Sequence, residues 1–232
     1  MDKKLYTYKY PHPAVTTDCV VFGFDGNELN LLLIERGVEP FKGHWALPGG
    51  FLNMNETAEQ SALRELKEET GIDNIFIEQI GCFSDVNRDP RERVVTIAYS
   101  ALVRQKDYEV IAGDDAARAR WFPMHEIPSL AFDHEKILRK AQQTLRESIH
   151  FRPIGFQLLD EKFTMAELQC IYEAILGVHF DRRNFQKKMT SLGYLTPLEE
   201  KRTGGAHRAP NLFKFNKQKY EQAKAFGIKL EF

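Results

Sequence analysis

Gly50-Phe51-Leu52-Asn53-Met54-Asn55-Glu56, followed after seven residues by Arg64-Glu65-Leu66-Lys67-Glu68-Glu69-Thr70-Gly71-Ile72, decides how this chain of 232 residues is read. Gly50, Glu56, Arg64, Glu65, Glu68, Glu69 and Gly71 form a fixed pattern of charge and glycine. At about 6% usage per residue type, the set coincides by chance on the order of once in 10^8 to 10^9 windows, so accident is excluded. Ala58, Ala62 and Leu66 recur at every fourth position, which predicts the buried stripe of a helix stopped by Gly71. Glu65, Glu68 and Glu69 then fall at i, i+3 and i+4 on one patch of that helix, and Arg64 stands four before Glu68, in reach for pairing. A hard divalent cation, Mg2+ or Mn2+, relieves the repulsion among such carboxylates, because these ions prefer carboxylate and carbonyl oxygens. Leu47-Pro48-Gly49-Gly50 carries little bulk, so its backbone can approach a metal or a phosphate closely. Any one Glu on a helix is ordinarily a solvated residue; the set with its glycines points to chemistry.

With 43% hydrophobic and 12% aromatic residues, the chain has the material for a full core. Its formal net charge is −1, but the charge is divided unevenly. Residues 151–232 carry 14 Lys and Arg against 9 Asp and Glu, and residues 1–150 carry 18 against 24. That asymmetry predicts two modules, one with an acidic metal site and one with a basic nucleic-acid surface. Cys19, Cys82 and Cys170 are scattered and form no Cys-x-x-Cys, which argues against a zinc site or a disulfide framework. Met1–Tyr8 lacks an apolar run of signal-peptide length, and no window approaches a membrane span. A cytoplasmic protein without membrane association is the expectation.

Ala14–Phe24 and Leu29–Ile34 read as strands flanking an Asp25-Gly26 turn, Ile75–Ile80 and Val94–Val103 as further β runs, and Asp133–Ile149 as a helix. A second module begins near Phe151-Arg152-Pro153, giving domains of 1–150 and 151–232. Thr164-Met165-Ala166-Glu167 is a capping box that opens a helix with Leu168, Ile171, Tyr172 and Ile175 inward and Gly177 as its stop. Asp181 caps another helix that buries Phe185, Met189 and Leu192 and displays Arg182, Arg183, Asn184, Gln186, Lys187 and Lys188. A hairpin follows from Tyr194 to Phe215, with Lys201, Arg202, His207 and Arg208 at its tip. Helix, helix and hairpin outline a winged helix-turn-helix. Its second helix would enter a major groove and its wing would lie on phosphates.

The whole chain resembles the Nudix-related transcriptional regulators, in which a Nudix domain precedes a winged helix. Gly43–Gly50, Asn87–Arg91 and Ala131–His134 carry the likeness outside the box, as do Phe163–Gln169 and Asp181–Lys188. The resemblance implies an α+β protein, a Nudix α/β/α sandwich followed by a winged helix-turn-helix domain. It further implies a regulator that senses a small metabolite and releases DNA, ADP-ribose in one branch and sugars including arabinose in another. A homodimer is expected, since such readers bind paired half-sites.

The N-terminal half also resembles ADP-ribose pyrophosphatases. In catalytic Nudix enzymes the box carboxylates hold Mg2+ across a diphosphate. Carried over, Glu65, Glu68 and Glu69 would be metal ligands with the Gly49 carbonyl beside them, and Arg64 would orient the carboxylates. One departure matters. Many active relatives place an acid just ahead of Trp-Phe-Pro, where this chain has Ala117-Arg118-Ala119-Arg120, with Asp114 and Asp115 nearby. The box argues for hydrolysis; arginines beside the metal site would oppose it. Regulator and hydrolase stay open together, and a regulator whose pocket has turned to a free sugar is a third reading.

Overall fold

The computed structural model describes residues 6–113, 116–202 and 209–225. β1 (Ala14–Phe24) is buried along both faces: Cys19 and Val21 turn to one side, Val20 and Phe22 to the other. Such a strand reads as one continuous apolar run because no face meets water. It pairs in parallel with β6 (Val94–Arg104) over its whole length. On its other edge it meets β2 (Leu29–Arg36) only at Phe22–Phe24, then β4 (Gly49–Phe51) at Thr16–Asp18. β1 and β2 therefore part company, and the opening between them holds the site described below. β3 (Trp45–Ala46) and β7 (Ala116–Pro123) complete β2's surroundings, and β5 (Glu78–Phe83) flanks β6.

α1 (Ala58–Thr70) covers one face of this sheet with Ala62 and Leu66 at zero exposure, and α2 (His134–Ser148) covers the other with Ile137, Leu138 and Ala141. This is the expected α/β/α sandwich. α1 opens on a Thr57–Gln60 capping box and stops at Gly71, whose φ of 75° suits glycine and whose N–H donates to the Lys67 carbonyl. The strand expected at Ile75–Ile80 is displaced to Glu78–Phe83. Ile75 and Ile77 are buried beneath the α1 face in irregular chain, and pairing with β6 begins only at Glu78 opposite Ser100.

The C-terminal module follows a 3-10 turn at Ile154–Leu158. β8 (Phe163–Thr164), α3 (Met165–Leu176), α4 (Arg182–Ser191), β9 (Leu195–Lys201) and β10 (Asn211–Phe215) form a winged helix with a sheet ordered β8-β10-β9. The hairpin thus gains a third strand, and α5 (Lys217–Ala225) follows it. Both ends of α3 stand where the sequence put them: Thr164 and Glu167 exchange capping-box bonds, and left-handed Gly177 closes the helix. The α2-side core runs on without a break into this module through Ile149, Leu158, Phe163 and Leu168. Arg152 clasps Glu78 at 2.7 and 2.8 Å, and Gln157 donates to the Leu102 carbonyl at 3.0 Å, so the linking segment is fastened to the Nudix sheet. Among the described residues no helix is long and apolar enough to cross a membrane.

Candidate functional site

Arg64 is the hub of the box. It donates to both Glu56 oxygens at 2.7 and 3.0 Å, to Glu65 at 2.7 Å and to Glu68 at 2.9 Å. A further bond to the Phe51 carbonyl at 3.2 Å ties the helix to β4. The guanidinium holds the Glu56 carboxyl down at about 2. Of the three carboxylates expected on one patch, Glu65 and Glu68 share the same Arg64 nitrogen, while Glu69 turns inward. Glu69 is buried and its Oε2 accepts from the Gly49 N–H at 2.8 Å. Burial, with Glu65 and Asp18 adding repulsion, raises its carboxyl to about 8, and burial raises Glu65 too. Gly50 leaves Glu65 its place: a Cβ there would sit 2.3 Å from the Glu65 Oε1.

Glu65 and Glu69 line a cavity of about 330 Å³ where β1 leaves β2 for β4. Four arginines also line it: Arg36, Arg64, Arg88 and Arg91. Behind it lies a buried charge network. Arg88 forks onto Asp133 at 2.8 and 3.2 Å and reaches Asp18 at 3.4 Å. His134 Nδ1 accepts from the Leu47 N–H at 2.9 Å, which leaves Nε2 to carry the proton facing Asp18 at 3.5 Å. Burial lowers the His134 pKa, so the ring stays neutral. Phe132 projects into the same cavity with a left-handed backbone (φ 53°) and meets Phe41 edge-to-face at 4.7 Å.

The arginines ahead of Trp121 do not lie beside the box, contrary to expectation. In register with β2, Arg118 stands opposite Glu35 and Arg120 opposite Leu33. Arg118 pairs with Glu35 at 3.2 Å, and Arg120 stacks 4.0 Å from the Phe122 ring centroid on the α2 side. The alternation of a strand sends Ala119 and Trp121 the other way. Neither arginine lines the cavity, so no cation from β7 opposes a metal there, and no carboxylate from β7 serves one. Asp114 and Asp115 lie outside the described residues.

The donors suit a hard cation in kind: Glu65, Glu69 and the Gly49 carbonyl. The raised carboxyls are what a cation would relieve. Glu68 is turned to Arg64 and solvent, however, and among the described residues no group of three or more metal-ligating side chains converges.

In the winged helix, Asp181 caps α4 through the Asn184 N–H at 2.9 Å. Phe185 and Met189 are buried, so Arg183 and Lys187, one turn apart, point straight out on the opposite face. Asn184 and Gln186 are exposed on either side of them; Arg182 is exposed at the start of the helix, and Lys188 is half-buried. Among the described residues none of Arg182, Arg183, Lys187 and Lys188 is in an ion pair, and the helix itself, Arg182–Ser191, contains no acidic residue. Arg202 differs: it grips the Glu167 carboxylate at 2.5 and 2.6 Å and so joins the wing to the start of α3. His207 and Arg208 lie outside the described residues.

Arg36, Arg88, Asp18, His134 and Phe132 were not singled out by sequence as site residues. Arg88, Phe132 and His134 fell within stretches that carried the family likeness, but Arg36 and Asp18 sit at ordinary strand positions with no local signal.

Fold and cavity together define a Nudix domain joined to a winged-helix domain. The family model described as NUDIX domain matches residues 12–141, and the model described as NrtR DNA-binding winged helix domain matches residues 155–215. The chain belongs to the Nudix family, in the group that carries an NrtR-type winged helix. It is 33% identical over 216 residues to an ADPR responsive transcriptional repressor of Acinetobacter baylyi, covering 91% of this chain and 86% of that one. The crystal structure of Shewanella oneidensis NrtR matches with a TM-score of 0.70 at 32% identity, covering 87% of this chain and 93% of that one. The same protein complexed with a 27mer DNA matches at 0.68, and its NUDIX domain complexed with ADP ribose at 0.55. An ADP-ribose pyrophosphatase of Methanocaldococcus jannaschii is 42% identical over 130 residues, 56% of this chain and 73% of that protein.

Proposed function

We propose that this protein is a DNA-binding transcriptional regulator whose Nudix cavity senses a nucleotide sugar or sugar, with ADP-ribose the first candidate and a pentose such as arabinose the second. The observation that carries the reading is the basic face of α4, with Arg183 and Lys187 outward, in no ion pair among the described residues, on a helix that contains no acid. Similarity to a repressor described as ADPR responsive, and to a relative crystallised with DNA and with ADP ribose, supports it. Residues 1–150 are the sensor and 151–232 the reader. Arg182, Arg183, Asn184, Gln186, Lys187 and Lys188 contact the duplex, and the protein binds as a homodimer in the cytoplasm, two α4 helices reading two half-sites.

Effector and DNA communicate through α2. Its first turn is in the cavity, where His134 lines the wall and Asp133 holds Arg88. Its last turn touches the winged helix, where Arg146 donates to the Ile175 carbonyl of α3 at 3.4 Å. A rod of 15 residues, about 22 Å at 1.5 Å per residue, joins the two. A ligand that favours one placement of this rod shifts DNA affinity by as much as it discriminates the two states.

The test is fluorescence anisotropy of labelled DNA from upstream of the protein's own operon, titrated at two salt concentrations, with ADP-ribose and then arabinose added. Tight, sequence-dependent binding released by one of them is expected. Weak binding, equal on scrambled DNA and lost at moderate salt, would sink the reading.

A second reading, hydrolysis of ADP-ribose or another nucleoside-diphosphate sugar, is favoured by the cavity-lining Glu65 and Glu69. These two and the Gly49 carbonyl would hold Mg2+ or Mn2+, which when bound neutralises charge on diphosphate oxygens. Arg64 keeps Glu65 and Glu68 in place in either reading. AMP release from ADP-ribose, lost in Glu69→Gln, would support it; no turnover with either ion would end it.

A further inference from the structure

We propose that Arg36 is the specificity-determining residue of the cavity, its guanidinium taking the phosphate or diphosphate group of the effector directly. The inference rests on the cavity being the effector site and deepens that reading by naming the ligand's chemical class.

The charge pairing inside the cavity singles out this residue. Arg64 is matched by Glu56 and Glu65, Arg88 by Asp133, and Arg91 by Asp89 at 2.7 Å. Arg36 has no carboxylate within 4.0 Å among the described residues, although it is half-buried at the cavity wall. A guanidinium shielded from water without an anion is costly unless one arrives with a ligand.

The side chain is also held ready. Its Nε donates to the Pro40 carbonyl at 2.8 Å and its Nη2 reaches the Val38 carbonyl at 3.4 Å. Its own backbone closes the intervening loop, with Arg36 N–H to His44 and Gly43 N–H to Arg36 both at 2.9 Å. The Phe132 ring lies 4.9 Å from the guanidinium carbon. Guanidinium carries five N–H donors, so after these two bonds the remaining fork is free for paired phosphate oxygens.

Phe132, which lines the cavity, and Phe41, which packs against it, both keep unfavourable backbone geometry. Phe132 and Phe41 have φ of 53° and 64°, a region bulky side chains avoid, and strain of this kind gathers at ligand clamps. Burial first, and the neighbouring Arg91 second, press the Arg36 pKa down, against the attraction of Glu69, Asp89 and Asp18, none of which comes within pairing distance. A neutral monosaccharide would leave Arg36 unmatched. A nucleoside-diphosphate sugar would satisfy it.

The experiment is calorimetric titration of the full chain in EDTA with ADP-ribose, inorganic diphosphate and arabinose, for wild type, Arg36→Met and Arg36→Lys. Wild type should bind ADP-ribose and diphosphate, and Arg36→Met should weaken both by about 10–100-fold, the worth of a charged, bidentate contact. Arg36→Lys should recover part of the loss, since it restores charge but not the fork. Unchanged melting temperature and unchanged DNA affinity without ligand verify the fold of each variant. If Arg36→Met binds ADP-ribose as wild type does and still releases DNA at the same concentration, Arg36 is not the anchor, while the regulator reading stands. If wild type binds arabinose and neither phosphate-bearing probe, the inference fails and the cavity is a neutral-sugar site. If wild type binds no probe and no DNA, both readings fall together.

Discussion

The Gly49 backbone N–H donates to the Glu69 carboxylate at 2.8 Å across 20 residues of sequence, fixing the glycine turn of β4 to the last turn of the box helix. This bond, and burial, make Glu69 different in kind from Glu65 and Glu68, although the helix spaces all three closely.

Glu69 should oppose folding at alkaline pH. Its folded pKa, about 8, lies above the unfolded value of 4.5. Between those limits the unfolded chain releases a proton that the folded chain keeps, so stability falls as pH rises through the window. Glu69→Gln should therefore melt several degrees above wild type near pH 9, at about 2–4 °C per kcal/mol for a chain of this size, and lose its advantage below pH 4.5. A gain of the same size at both ends would show that ionisation is not the cause.

Arg64 has the reverse effect on Glu56. Its hydrogen bonds depress the Glu56 carboxyl from 4.5 to about 2. The stability this supplies is present above pH 4.5 and lost as pH falls towards 2. In Arg64→Met, carbon-13 titration should find Glu56 back near its ordinary value and acid unfolding should begin at higher pH. A Glu56 that still titrates near 2 would contradict the hydrogen-bonding geometry.

On α4, Arg183→Ala and Lys187→Ala should each weaken binding to operator and scrambled DNA alike where the contact is to phosphate. Each should also lower the slope of log affinity against log salt by about 0.9. Loss confined to one operator base would mark that residue as a base reader, worth about 1–3 kcal/mol. Both side chains are exposed, so thermal melting should not move.

Arg146→Met should uncouple the two domains. Effector affinity by calorimetry and DNA affinity by anisotropy should stay within about twofold, within the scatter expected of a distant surface change. Release of DNA by effector should be blunted, because the substitution removes the bond from α2 to the Ile175 carbonyl. Full release in the variant would mean that coupling takes another route, such as the Arg152–Glu78 clasp.

Much of the fold was legible because its signals are local. The α3 capping box sits within four residues, Gly71 and Gly177 each end a helix beside it, and the stripe on α4 follows from a 3.6-residue period. β7 was mostly missed. Its Ala-Arg alternation carries no apolar signal, since Arg118 is held by Glu35 and Arg120 stacks on Phe122 and Trp45. β5 was shifted because Ile75 and Ile77 are buried without being paired.

The sequence by itself determined the Nudix box, the order of the two modules, the helix ends and the basic face of α4. These rest on contacts between near neighbours and on helical periodicity, which the chain encodes wherever it folds. Tertiary structure alone decided which box glutamate turns inward, that Arg118 and Arg120 face away from the site, that Arg202 binds Glu167, and that no described acid pairs with Arg36. Those outcomes depend on strand register and on partners far off in sequence. Arg88 meets Asp18 across 70 residues, and Leu47 meets His134 across 87. Only the folded sheet brings such groups within hydrogen-bonding distance, and only there does burial set which charges are answered.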